Sequence, residues 1–216
     1  MVSQVHASDS ERRRPRNQRG EGIRLREELI EAARRLLKTA ERESDVSIRA
    51  VTREAGAAPQ SFYLQFANLD ELLYAVYEIE YQGLAQAIDA AVGAAQDPLD
   101  RLRAACLAYC GFAEEQPGRY RALTSVRGQL LHEGWEGRPL PGAPTFALIR
   151  DTVAAALTSA GSTADPFLTA STLWASLHGL VTLRAGRPAF PWPPGEEMIN
   201  SLTVQLLHAP PSHQSS

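Results

Sequence analysis

Apolar residues recur every three to four positions from Ile23 onward. Leu25, Leu29, Ala32, Ala33, Leu36, Leu37 and Ala40 make one face of an amphipathic helix. The polar stretch after Ala40 breaks that pattern. Ser47 then stands where an N-cap belongs, ahead of Ile48, Val51 and Ala55 at helical spacing. Gly56 supplies the left-handed residue that ends a short helix, and Pro59 suits the first turn of the next. That third helix starts near Ala58 and carries Phe62 and Phe66, four apart, on one side. Asn68 followed by Glu71 is a capping-box pattern that opens the strongest helix, in which Leu69, Leu72, Leu73, Val76, Leu84 and Ile88 run toward Val92. Beyond Pro98 the helical period continues over about 99–115, 117–132, 144–160, 165–185 and 194–208, with Gly and Pro at the boundaries. No segment alternates with the period of a half-buried strand. The expected fold class is all-α, with about nine helices and no internal repeat.

Composition adds a compartment and a polarity. Of the 216 residues 44% are hydrophobic and 22% charged, enough for a real core. No apolar run reaches the roughly 18 to 20 residues that cross a bilayer, and the Arg-rich N-terminus has no apolar segment of a leader peptide after it. A cytoplasmic, nucleoid-associated protein with no membrane partner is expected. The net charge of −3 hides an asymmetry: residues 1–53 hold 13 Lys and Arg against 9 Asp and Glu, whereas the remainder holds 9 against 16. A cationic end on an anionic body points to a polyanion partner at that end, although a charged tail is also compatible with simple solvation. Residues 1–21 are expected as a disordered basic arm that offers Arg14, Arg16 and Arg19, and residues 209–216 as a flexible tail. Cys106 and Cys110, four apart on one helix face, suit two buried core thiols, with a thiol sensor or half a metal site as the alternative.

A short helix, a Gly-containing turn and a second short helix have the geometry of a helix-turn-helix, here over about 47–66. In such a unit the first helix rests on the phosphate backbone and the second enters the major groove. Burying Phe62 and Phe66 leaves Gln60, Ser61 and Tyr63 facing outward, with Gln65 and Pro59 beside them. Gln pairs bidentately with adenine, and Ser and Tyr hydroxyls reach bases or phosphates. Ser47 and Arg49 are placed to donate to phosphates. A plain helical hairpin used only for packing has the same spacing and remains the alternative.

The stretch "SIRAVTREAGAAPQSFYLQFANLDELLYAV" resembles the DNA-binding domain of the tetracycline-repressor (TetR) family over about residues 23–84. Ala55-Gly56, Tyr63, Phe66 and Leu72-Leu73 carry the likeness. The resemblance implies a DNA-binding domain at 22–84 and an effector-binding and dimerisation domain at 85–208. It further implies a homodimer, usually a repressor, that leaves double-stranded operator DNA when a small molecule binds. Two positions depart from the pattern: Ala58 stands where the family often has Ser, and Leu69 where it often has Lys.

In the C-terminal half, "LWASLHGLVTLRAG" resembles a subclass of the family marked by Trp followed by His-Gly. The family pairs its last two long helices with their copies in a second subunit, which places Trp174, His178, Gly179, Met198, Leu202 and Leu206 at a dimer interface. For His178 a hydrogen-bonded structural role stands beside a ligand or metal role. Leu84, Ile88, Tyr109, Phe112, Tyr120, Trp135, Phe146, Ile149 and Trp174 lie on helices that wall the family's effector cavity. This inventory suggests a small apolar or aromatic effector.

No GxSxG, HExxH, P-loop or GxGxxG motif occurs, and the five histidines are scattered. The chain is therefore expected not to be an enzyme and to need no metal or other cofactor. A helical interaction protein without DNA binding is the second reading.

Overall fold

The structure, a computed structural model, describes residues 19–40, 45–124 and 138–207, with side chains from residue 22. The helices in order are α1 (Arg19–Thr39), α2 (Ile48–Glu54), α3 (Pro59–Phe62), α4 (Leu69–Ala94) and α5 (Pro98–Glu115), then α6 (Pro117–Leu123), α7 (Ala143–Ser159), α8 (Pro166–Gly186) and α9 (Gly195–Leu207). Among the described residues these make nine helices and no strand, so the all-α expectation holds.

Local chemistry explains most of the ends. Asp97 accepts from the N–H groups of Leu99 at 2.8 Å and Asp100 at 3.3 Å, and Asp165 accepts from Leu168 at 2.6 Å, each just ahead of a Pro at the first helical position. Three ends differ from the sequence expectation. Helix α1 begins at Arg19, inside the stretch expected to be a disordered arm. Its first residues carry no large apolar side chain, so the hydrophobic period cannot register them, although a helix nucleated downstream propagates through them. Helix α3 stops at Phe62 instead of running through Phe66, because Asn68 adopts extended backbone (φ −155°, ψ 177°) to cap α4 and the chain must leave the helix first. Helix α6 ends at Leu123, well before 132; residues 125–137 lie outside the described set, as do 1–18, 41–44 and 208–216.

Two hydrophobic cores result. Leu29, Ala32, Ala33 and Leu37 of α1 pack with Val51, Phe62, Phe66 and the first third of α4. The second half of α4, from Leu84 to Ile88, packs with α5, α7, α8 and α9. Helix α6 serves both, with Ala122 in the first core and Tyr120 and Leu123 in the second.

Glu80 sits on α4 between the two cores and is 1% exposed. One carboxylate oxygen accepts from Arg34 Nε of α1 at 2.6 Å, and the other from Arg119 Nε of α6. A buried carboxylate is tolerated because two guanidinium groups neutralise it and fill its acceptor sites. Gly83, one turn along α4, is part of the design: a Cβ there would lie 2.2 Å from Arg119 Nη2 and push that side chain away from Glu80.

Candidate nucleic-acid interface and effector domain

The helix-turn-helix is assembled from caps and two aromatic anchors. Ser47 has extended backbone and its Oγ accepts from the Ala50 N–H at 3.2 Å, which leaves its hydroxyl hydrogen available outward. Gly56 takes φ +65°, so that its N–H meets the Arg53 carbonyl at 3.2 Å and the Ala57 N–H meets the Thr52 carbonyl at 2.8 Å. This pair of bonds closes α2, and a Cβ at that backbone conformation costs about 1–2 kcal/mol. Ala58 then provides no side-chain cap, and Pro59 starts α3.

Phe62 and Phe66 are fully buried, with ring centroids 5.7 Å apart. Arg26 of α1 fastens the end of the segment twice, since its guanidinium lies 4.2 Å above the Phe66 ring and its Nη1 donates to the Gln65 carbonyl at 3.0 Å. Asn68 accepts from the Glu71 N–H at 2.9 Å. The Glu71 carboxylate reaches back to the Ala67 N–H at 2.7 Å, one residue before the position a regular capping box uses. Leu69, in place of a Lys, packs against the N-terminal core.

This scaffold sorts the residues named from sequence. Arg49, Pro59, Gln60 and Tyr63 are exposed, Tyr63 by 61%, and Ser61 is half-buried. Gln65 is half-buried beside α1, where its Nε2 lies 3.8 Å from the position a Cβ on Gly22 would take, so it does not share the open side of Gln60. Arg14 and Arg16 lie outside the described residues, and Arg19 enters only as the first residue of α1. The reading from sequence missed Leu64, which is 70% exposed. Its signal was available: it stands four residues after Gln60, off the Phe62 and Phe66 side.

In the C-terminal domain Leu84, Ile88, Tyr109, Phe112, Tyr120 and Ile149 are buried in packed core, Phe146 is half-buried, Trp174 is 46% exposed, and Trp135 lies outside the described residues. A cleft of about 550 Å³ opens elsewhere, between α4 and the start of α7. Ala75, Ile79, Ala85, Pro141 and Pro144 line it with Glu78, Gln82 and Thr145; none of the expected wall residues that are described does.

A polar chain runs through the C-terminal core. The Tyr109 and Tyr120 hydroxyls are 3.0 Å apart, and the Tyr120 hydroxyl lies 2.7 Å from His178 Nδ1. Burial pushes the Tyr109 hydroxyl up to about 12 and raises Tyr120 as well, so both stay protonated. Burial likewise pushes the Cys106 thiol up to about 12 and Cys110 up to about 11. Such thiols hold almost no thiolate at neutral pH, which favours the core role over a sensor.

The residues expected at a dimer surface are partly engaged within the chain itself. Met198, Leu202 and Leu206 are only half-buried, yet Leu202 and Leu206 pack against the chain's own core, because α9 uses its Ile199, Thr203 and Leu207 face to close the domain. A side chain at Gly179 would meet nothing within 4 Å. The apolar surface that is open belongs instead to Phe167, Leu168, Trp174 and Leu183 of α8 and Val204 of α9. Phe146, Phe167 and Trp174 form an edge-to-face cluster with centroids 5.6 and 6.0 Å apart. The sequence signal was an α8 apolar on all sides, since a helix of that kind has two faces to cover.

A family model described as "Tetracyclin repressor-like, C-terminal domain" matches residues 102–206. Solved structures share the fold. A TetR family transcription regulator from Marinobacter aquaeolei has a TM-score of 0.63 at 18% identity, covering 88% of this chain and 97% of that one. Residues 102–206 are thus similar to the C-terminal domain of tetracycline-repressor-like proteins, and the chain shares the fold of a TetR family structure. Another TetR-like fold is the transcriptional regulator FadR from Bacillus subtilis, solved with stearoyl-CoA, with a TM-score of 0.66, 12% identity and 84% and 97% coverage. An uncharacterized HTH-type transcriptional regulator from Haemophilus influenzae is 45% identical over 49 residues, which are 23% of this chain and 24% of that protein. The chain thus spans about a quarter of the curated relative it matches. Among the described residues, no helix is long and apolar enough to cross a membrane.

Proposed function

We propose that this protein is a homodimeric DNA-binding transcriptional regulator, acting in the cytoplasm as a repressor that a small molecule releases from its operator. The observation that carries the reading is the segment from Pro59 to Tyr63. Two fully buried phenylalanines hold it rigidly while Gln60 and Tyr63 stand in solvent, as does Arg49. A packing hairpin has no use for polar and aromatic residues displayed on its outer side, whereas a major-groove reader does. Ser47, Arg49, Tyr63 and the arm residues Arg14, Arg16 and Arg19 take phosphates in this reading; Gln60 and Ser61 take bases, and Pro59 orients them.

The open apolar face of α8 supports the homodimer. Ala175 and Gly179, on the side of α8 away from its buried stripe, leave room for a second copy to approach closely, flanked by Leu168 and Leu183. His178 and Trp174 sit at the edge of that face. A small apolar or aromatic effector fits the aromatic cluster and the apolar C-terminal domain, and the stearoyl-CoA bound by the FadR neighbour shows an apolar chain held by the same fold.

A salt-dependent gel shift with DNA upstream of the protein's own gene tests the core of the proposal. Tyr63→Ala should weaken binding to all sequences alike, whereas Gln60→Ala should change which bases are preferred. Unchanged DNA binding in both variants would remove α3 from the interface.

A further inference from the structure

The segment from Ala55 to Leu69 contains no Asp, Glu, Lys or Arg. The commonest guanine contact, a bidentate Arg or Lys on O6 and N7, is therefore unavailable to it, as is the carboxylate that accepts from cytosine N4. What it does display is Gln60 and Leu64. Bonds from Leu64 N–H to the Ser61 carbonyl at 3.3 Å and from Phe66 N–H to the Phe62 carbonyl at 3.0 Å carry helix-like turns past α3. Leu64 accordingly lies one turn beyond Gln60 on the same side. Its 70% exposure is the highest of any large hydrophobic residue described, and it is not slack chain, since Phe66 and the Arg26 bond to Gln65 pin both residues that follow it.

We propose that Gln60 and Leu64 form an adenine–thymine reader, with Gln60 hydrogen-bonded to adenine N6 and N7 and Leu64 packed on a thymine 5-methyl group. The thymine methyl is the apolar feature of the major groove, and Gln is the amide partner that matches adenine there. The bases facing this segment in each half-site are then A·T pairs, and G·C specificity has to come from outside residues 55–69. The inference rests on the DNA-binding reading above.

The test begins with selection of preferred duplexes from a random library by the full-length protein. Thymine is then replaced by deoxyuridine, which lacks only the methyl group, one position at a time. One such replacement facing Leu64 should weaken the wild-type complex about fourfold, the worth of one buried methyl group. Leu64→Ala should bind the thymine and uracil duplexes equally and retain its salt dependence. In the same way, 7-deazaadenine at the neighbouring position should weaken the wild type and leave Gln60→Ala unaffected. Specific binding that is insensitive to every uracil substitution, or that selects G·C pairs opposite these residues, overturns the adenine–thymine reader and leaves the regulator reading intact. Absence of any salt-dependent DNA binding overturns both.

Discussion

The N-terminal and C-terminal cores are built on opposite treatments of polarity. Around Phe62 and Phe66 the interior is almost wholly apolar, and polar side chains work at its rim as caps: Ser47 on α2 and Asn68 on α4. The C-terminal core instead buries a hydrogen-bonded chain, Tyr109 to Tyr120 to His178, whose members lie 11 and 58 residues apart in sequence. The first arrangement fixes the shape of a small surface through near neighbours. The second ties together three helices that only tertiary packing brings into contact, and such a network tolerates little loss because each partner left behind is buried. Glu80 joins the two regions.

Phe62→Ala should have the largest effect, about 3–5 kcal/mol, since it opens a cavity where two helices and α4 converge. Urea denaturation measures it, and a loss below 1 kcal/mol would mean that the reading segment is not clamped. Glu80→Ala comes next, at about 3 kcal/mol, because it leaves Arg34 and Arg119 facing each other at a half-buried site where solvent screens part of the cost. If Glu80 couples the cores, the unfolding transition of this variant should also broaden or split, and an unchanged slope would argue against coupling.

Tyr120→Phe should cost about 1–2 kcal/mol by removing both hydroxyl bonds while keeping the ring in place. Amide exchange should then speed up in α5, α6 and α8 and stay unchanged in α2 and α3; equal acceleration in both cores would erase the distinction between them. The smallest effect concerns the thiols. Cys106 and Cys110 keep their protons in the folded protein to about pH 12 and 11, whereas unfolded thiols lose theirs near 9. The unfolded state thus binds fewer protons above pH 9, and the thiols' contribution to stability, fully present below that pH, is lost as pH rises toward 11 to 12. Alkylation at pH 8 should accordingly be negligible until denaturant is added; rapid native labelling would contradict the burial.

How much was legible from residues alone follows the same division. The helix-turn-helix was readable because each signal acts within a few positions: the Ser47 cap, the left-handed Gly56, Pro59 and the Phe62 and Phe66 pair. Leu64 was missed although its spacing from Gln60 was readable, because spacing alone does not say that a leucine stays uncovered. The C-terminal reading named Tyr109, Tyr120 and His178 individually, but their connection did not show, since no rule of spacing relates positions 109, 120 and 178. For the same reason Glu80 looked like one more charge on a helix, and the part that Leu202 and Leu206 take in their own core did not show.

The sequence by itself determined that this chain is helical and where most helices start, because caps, glycine conformations and apolar periods are local energies that operate in any fold. It also determined the uncharged character of residues 55–69, which no packing can alter. Only the tertiary structure decided which helix faces are covered, that Arg34 and Arg119 converge on Glu80, and that Leu64 stands open beside Gln60. Those outcomes depend on the relative placement of distant helices, and packing sets that placement.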